Sequence, residues 1–271
     1  MCEEERARTV GLSRRELLAG ASGFALGVAT ASLGGGLSSF LWSGPALAAE
    51  KAQPTHPFPY VRLDPEVALR RGYEGFWEGY CSYGCFKAIL SQLREKIGFP
   101  YTGVPYETMK YGVGGYVGWG TLCGALNGAG AAISLCVGQM EALKVINELV
   151  GWYTTYEFPS DRMDSFAKVK NQVRCSVGSP LCHVSVGKWV NKAGVKVNSP
   201  EHNERCAKLT GDVAHKAVEL LNAIADGTFV AAYDPPETLL ACMSCHSGPG
   251  TRNDVMGAMD CMPCHADPHG K

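Results

Sequence analysis

Two copies of one short pattern, nineteen residues apart, constrain this chain more than anything else in its 271 residues. Cys242-Met243-Ser244-Cys245-His246 and Cys261-Met262-Pro263-Cys264-His265 both read C-x-x-C-H. Two thiols at this spacing can add across the two vinyl groups of one porphyrin. The next residue then lies beneath the ring, where its imidazole becomes an iron ligand. The pattern predicts two haems c per chain, attached through Cys242, Cys245, Cys261 and Cys264, with His246 and His265 as proximal ligands. Zinc is the rival, because fifteen residues between Cys245 and Cys261 also suit a four-cysteine site. A zinc site gives no reason for a histidine after each second cysteine, so haem is the better reading.

A tail of 36 residues, 236–271, is too short to enclose two porphyrins. Much of the haem surface must pack on the rest of the chain, on the other haem or on another subunit. The rest reads as helical. Asp64-Pro65 is an N-cap and first helical position, opening a helix through Val67, Leu69 and Tyr73. A second helix runs from about Gly79 to Ile97, with Cys81, Cys85, Ile89 and Leu93 on one face. Small residues over Thr121–Val137 would let helices approach closely. Met140–Tyr156 has helical spacing, and Ser179-Pro180 and Ser199-Pro200 read as caps opening helices at about 180–192 and 200–226. Alternating strand patterns are almost absent. The expected fold is mostly α: a helical, cysteine-rich body over 49–235 and an irregular or short-helix dihaem-binding tail over 236–271.

The first 48 residues read as an address. Ser13-Arg14-Arg15-Glu16-Leu17-Leu18 carries paired arginines, a weakly apolar stretch follows, and Ala46-Leu47-Ala48 is a small-residue cleavage site. The alternative is a retained anchor, since Leu17–Trp42 is long enough to span a bilayer. Six glycines interrupt that stretch, which favours a cleaved twin-arginine signal and a periplasmic protein without a membrane segment. That route carries folded proteins, which suits a second centre inserted in the cytoplasm besides haem. Lys plus Arg total 25 against 26 for Asp plus Glu, a balance that argues against nucleic acid as a partner.

Each haem iron needs a sixth ligand or stays open and reactive. His183 is the first candidate, because it follows Cys182 in the densest cysteine neighbourhood. His215 is the second, because an imidazole on an apolar helix face needs a partner. The chain has 12 cysteines. Setting aside Cys2 and the four of the tail leaves Cys81, Cys85, Cys123, Cys136, Cys175, Cys182 and Cys206. Three disulfides and a free thiol, or buried free thiols, is one reading. The other is an iron–sulfur or other thiolate–metal centre led by Cys175, Cys182 and Cys206, with Cys81, Cys85 or Cys123 contributing.

Cys81-Ser82-Tyr83-Gly84-Cys85, Gly114-Gly115, Cys123-Gly124-Ala125-Leu126 and Gly128-Ala129 resemble a family of redox-associated cysteine proteins known by its Cys, Gly-Cys-Ala, Gly, Cys, Cys pattern. Cys175, Ser179-Pro180-Leu181-Cys182-His183 and Glu204-Arg205-Cys206 fit its downstream half. Phe86 departs from it where alanine is usual. With the dihaem tail added, residues 55–271 resemble the split-Soret cytochromes c. The resemblance implies helical homodimers with two haems per subunit at one end, stacked in pairs, with bis-histidine coordination partly supplied across the interface. It also implies an iron–sulfur centre near the pattern's cysteines. The function expected is electron relay between redox partner proteins. The alternatives are an oxidoreductase with one open haem, acting on a small molecule, and a cysteine-based metal or redox module with accessory haems.

Overall fold

In a computed structural model the described residues are 54–248, 251–262 and 265. The proposed export segment and Cys264 lie outside them.

Helix α1 (Pro65–Lys96) starts where its sequence says it should. The Asp64 side chain accepts a hydrogen bond from the Glu66 N–H at 2.9 Å, and Pro65, which has no N–H to lose, takes the first helical position. The two helices expected here are joined end to end across a kink. Gly79 (φ −157°, ψ 21°) and Tyr80 (φ 66°, ψ −171°) leave helical geometry, and the chain resumes one residue later at Cys81. A tyrosine in that region is strained by about 1–3 kcal/mol, a state that persists only where surrounding packing over-determines it.

Two 3-10 turns follow, Tyr101–Gly103 and Tyr106–Gly112. Then come α2 (Gly124–Cys136), α3 (Gln139–Thr155), α4 (Cys182–Ala193), α5 (Pro200–Ala225) and the short α6 (Glu237–His246). Ser199 caps α5 as expected, accepting from the His202 N–H at 3.2 Å. Ser179 does not cap α4. Its Oγ accepts from the Leu181 N–H at 3.2 Å in a turn, and the helix begins at Cys182. The reason lies across the chain: Leu181 pairs with Leu122 in an isolated bridge, which keeps 179–181 out of helix. The other bridge, Phe158 with Cys175, completes the β pairing among the described residues.

Helix α1 is the hub, packing mainly on α5 and α2. Phe76, Ile89, Leu90 and Leu93 from α1 are buried with Ile133 from α2 and Leu209, Val213 and Leu221 from α5. Each such side chain contributes about 1.5–3 kcal/mol on leaving water. Helix α2 sits almost backbone to backbone on α1. A Cβ on Gly128 would lie 2.2 Å from the Ser82 carbonyl oxygen, and one on Gly124 would lie 2.4 Å from Cys81 Sγ. The small residues of 121–137 are thus spent on bringing the cysteines of two helices together. No helix among the described residues is long and apolar enough to cross a membrane.

Candidate redox sites: buried thiols and the two-motif tail

Five thiols from four helices meet inside the body. Cys81 opens the second half of α1 after the kink, and Cys85 lies one turn on. Cys123 is the N-cap residue of α2, Cys182 is the first residue of α4, and Cys206 stands near the start of α5. Backbone bonds lock the loops that carry them. The Cys182 N–H donates to the Thr121 carbonyl at 2.7 Å, the Cys123 N–H to Pro180 at 2.9 Å, and the His183 N–H to Gly120 at 3.0 Å. Gly115, at φ 66°, leaves room for Cys182, whose Cβ would stand 2.8 Å from any side chain there.

Burial pushes the Cys81, Cys85 and Cys123 thiols up and Cys182 up to about 12. The thiols also raise one another: Cys123, Cys206 and Cys182 act on Cys81, Cys123 and Cys81 on Cys85, and Cys123 and Cys206 on Cys182. A hydrogen bond with the Tyr153 hydroxyl opposes the rise at Cys123. All ten cysteines among the described residues are free thiols, so the disulfide reading of the body cysteines is not what the structure holds. No three His, Cys, Asp or Glu side chains among the described residues are already gathered at metal-binding spacing. What exists is a set of sulfur donors, Cys81, Cys85 and Cys123 buried and Cys182 and Cys206 partly exposed, near enough to feel one another's charge.

Two cysteines stand apart. Cys175, expected with Cys182 and Cys206, pairs through its backbone with Phe158 (3.0 and 3.1 Å) and is not among the groups that raise the other thiols. Cys136 closes α2 and receives the Tyr101 hydroxyl at 3.6 Å. Burial raises its thiol to about 12. From the start of α2 it is separated by 13 residues, about 20 Å of helix, too far to share a centre with Cys123.

Four further residues stand around the thiols: Arg205, which the sequence shows only as part of the Glu204-Arg205-Cys206 match, and His202, Tyr153 and Ser185. The Tyr153 hydroxyl donates to Ser185 Oγ at 2.9 Å, and Arg205 Nη2 donates to the same oxygen at 2.8 Å. The His202 ring lies 3.5 Å from Cys206 Sγ. The signal available was Glu204-Arg205, two charges inside an otherwise buried stripe of α5.

In the tail, α6 carries the first motif and the following loop folds back on it. The Arg252 N–H donates to the Cys245 carbonyl at 2.9 Å and the Val255 N–H to the His246 carbonyl at 3.1 Å. The His265 N–H donates to the Cys261 carbonyl at 2.9 Å. His246 Nδ1 meets Asp254 Oδ1 at 2.6 Å, and this bond holds the Asp254 carboxyl below its usual range. An Nδ1–H given to a carboxylate leaves the ring lone pair on Nε2, the arrangement metal-bound imidazoles use. The first cysteines of the two motifs adjoin: burial raises the Cys261 thiol, and Cys242 raises it further by charge and hydrogen bond. Thr238 Oγ1 donates to Asp260 Oδ1 at 2.9 Å and the Met262 N–H donates to the same oxygen at 3.1 Å, tying the second motif to α6. A cavity of about 310 Å³ opens between α3 and this tail, lined by Gly151, Thr154, Tyr233, Met259 and Asp260.

The two candidate distal histidines differ. His183 is exposed at the start of α4. His215 is buried and engaged: its Nε2 lies 2.7 Å from Arg162 Nη1 and 3.1 Å from Glu66 Oε1. Its apolar setting is satisfied by these partners, and both contacts would have to break for iron to bind at Nε2.

The comparisons with known proteins agree with this layout. Residues 83–220 match the model of the family described as "Putative redox-active protein (C_GCAxxG_C_C)". The chain is 35% identical to the split-Soret cytochrome c of Desulfovibrio desulfuricans (strain ATCC 27774), over 95% of both chains. A solved structure of a split-Soret cytochrome c from that strain, described as containing a novel iron centre, is 36% identical with a TM-score of 0.71. The match covers 76% of this chain and 89% of that one. On the mostly helical fold, the thiol pattern and this similarity, the chain belongs to the split-Soret cytochrome c family.

Proposed function

We propose that this protein is an exported electron carrier holding two haems c per chain. Cys242 and Cys245 would attach one and Cys261 and Cys264 the other, with His246 and His265 as proximal ligands. The nearness of Cys242 to Cys261 supports the reading: two attachment points side by side would bring two porphyrins close enough to pass electrons between them. The bound haems would supply the one-electron chemistry. The chain's own part is to fix the imidazoles, as Asp254 does for His246, and to shield the ring faces with α3, the tail and a second subunit. A homodimer is what the resemblance to the split-Soret cytochromes implies, and a tail too short to enclose two haems suits it; His183, exposed at the start of α4, is the candidate sixth ligand. A periplasmic setting rests on the paired arginines at 14 and 15.

The iron centre described for the relative fits residues of this chain. The donor set is five sulfurs, three of them buried, a chemistry that suits iron, and a buried guanidinium beside them has an Nε without any hydrogen-bond partner. Cys81, Cys85, Cys123, Cys182 and Cys206 would supply the ligands, and Cys175 drops out of the proposed set.

A visible spectrum of the purified protein, oxidised and reduced, with haem counted per chain, tests the carrier. Two haems with a divided Soret band and no carbon monoxide binding is the expected result. Two haems of which one binds carbon monoxide would move the function to an open-haem oxidoreductase. No haem in cells able to attach it would return the tail to zinc.

A further inference from the structure

The thiol pocket contains a charge that its surroundings do not balance. Arg205 is 1% exposed. Nη2 donates to Ser185 Oγ at 2.8 Å, Nη1 faces Cys206 Sγ at 3.8 Å, and the guanidinium stands 5.9 Å from the Trp189 ring. Nε has no partner. No carboxylate pairs with it among the described residues. The neighbouring Glu204 spends Oε1 elsewhere, on the Tyr73 hydroxyl at 2.7 Å and the Lys168 N–H at 3.1 Å. A guanidinium stays charged at any physiological pH, and burying it without a counter-ion is among the most unfavourable things a fold can do. The ionisable groups whose negative charge would favour it are Cys206, Tyr153 and Cys123.

His202 points the same way. Its Nδ1 accepts the Asn198 N–H at 3.1 Å, so in the neutral ring the proton sits on Nε2. That N–H is directed at Cys206 Sγ, 3.5 Å away. One sulfur therefore faces two N–H donors. A thiol is a weak acceptor, whereas a thiolate or a metal-bound sulfur is a good one.

We propose that Arg205 is the built-in counter-charge of an anionic thiolate–metal centre, and that with His202 it sets that centre's reduction potential through Cys206. The inference rests on the reading of the thiol pocket as an iron site and goes beyond it by assigning residues that bind no metal. Reduction adds one electron to the centre, and a fixed positive charge with N–H donors on sulfur favours the more negative, reduced form. Arg205 is a positioning and tuning residue, since it acts on the metal only through the sulfur.

The test uses the full haem-loaded protein and three chains: wild type, Arg205→Lys and Arg205→Met. Non-haem iron per chain, the electron paramagnetic resonance signal of the non-haem centre and its midpoint potential are measured beside the haem spectrum and helical circular dichroism. The expected result is a lower midpoint potential or reduced iron content in Arg205→Met, largely restored in Arg205→Lys, with haem spectrum and helicity unchanged. Should Arg205→Met fail to fold, His202→Asn carries the same expectation in smaller degree. Wild-type iron content, signal and potential in both Arg205→Met and His202→Asn would overturn the proposal and leave the iron site standing. No non-haem iron in the wild-type protein would overturn the iron site and this inference with it.

Discussion

Replacing Asp212 by asparagine should make the protein more stable at neutral pH and less sensitive to acid. Asp212 lies on α5 and is 4% exposed. It accepts the Ser160 N–H at 2.9 Å and the Ser160 hydroxyl at 2.5 Å. Burial lifts its pKa from 3.8 to about 6, and the hydrogen bonds from Ser160 and the charges of Arg162 and Arg174 only partly oppose the rise. Below about pH 4 both folded and unfolded carboxyls are protonated. Between there and about 6 the unfolded chain loses its proton while the folded one keeps it, so unfolding free energy falls as pH rises. Above 6 the penalty is constant, on the order of 3 kcal/mol for a gap of about two pKa units. Asparagine can keep the acceptor for the Ser160 N–H and turn its amide toward Ser160 Oγ, without a charge to desolvate. Urea unfolding of both proteins, followed by circular dichroism from pH 4 to pH 7.5, measures the difference. Other titrating groups cancel in it. The variant should gain about 2–3 kcal/mol at pH 7, and the gain should shrink toward zero near pH 4. A variant less stable than wild type at pH 7, or a difference that does not change with pH, would refute the reasoning.

Three further outcomes follow from other parts of the molecule. Gly124→Ala should destabilise by about 1–3 kcal/mol in the same assay, because its methyl group would collide with Cys81 Sγ and the Gly112 carbonyl oxygen, each 2.4 Å away. It should also lower non-haem iron, which a lesion remote from the thiols would not do. Asp254→Asn removes the negative charge from the partner of His246 and should raise the potential of that haem, read by spectroelectrochemistry, while the other moves less. Cys182→Ser should deplete non-haem iron, whereas Cys136→Ser, at the far end of α2 under Tyr101, should leave it unchanged.

The parts of this fold that are local in sequence were legible in it. Asp64-Pro65 and Ser199-Pro200 act within one helical turn, and they cap the helices they were expected to cap. Gly79 marked a break because a helix starting there and one ending near it could both be read, and the chain joins them through the strained Tyr80. Ser179 misled because the force that shapes 179–181 comes from Leu122, 59 residues away, and no local preference reports on a bridge that distant.

The thiol pocket shows the same division at greater cost to inference. Cys81 and Cys85 lie on one helix face at a spacing anyone can read. Which other cysteines join them depends on how α2, α4 and α5 dock. The docking follows Gly124 and Gly128, whose missing side chains let α2 lie against the Cys81–Cys85 face. Cys175 looked equivalent to Cys182 in the sequence, seven residues away. Its backbone is instead paired with Phe158, a partner 17 residues back that no local pattern announces. The buried charge of Arg205 was the clue that could have been used. An arginine in the apolar stripe of a helix needs a reason, and Arg205 lies with Nη1 toward Cys206 Sγ and without a carboxylate partner among the described residues. A buried guanidinium facing Cys206 Sγ favours a sulfur that carries negative charge, the form in which a cysteine holds a metal.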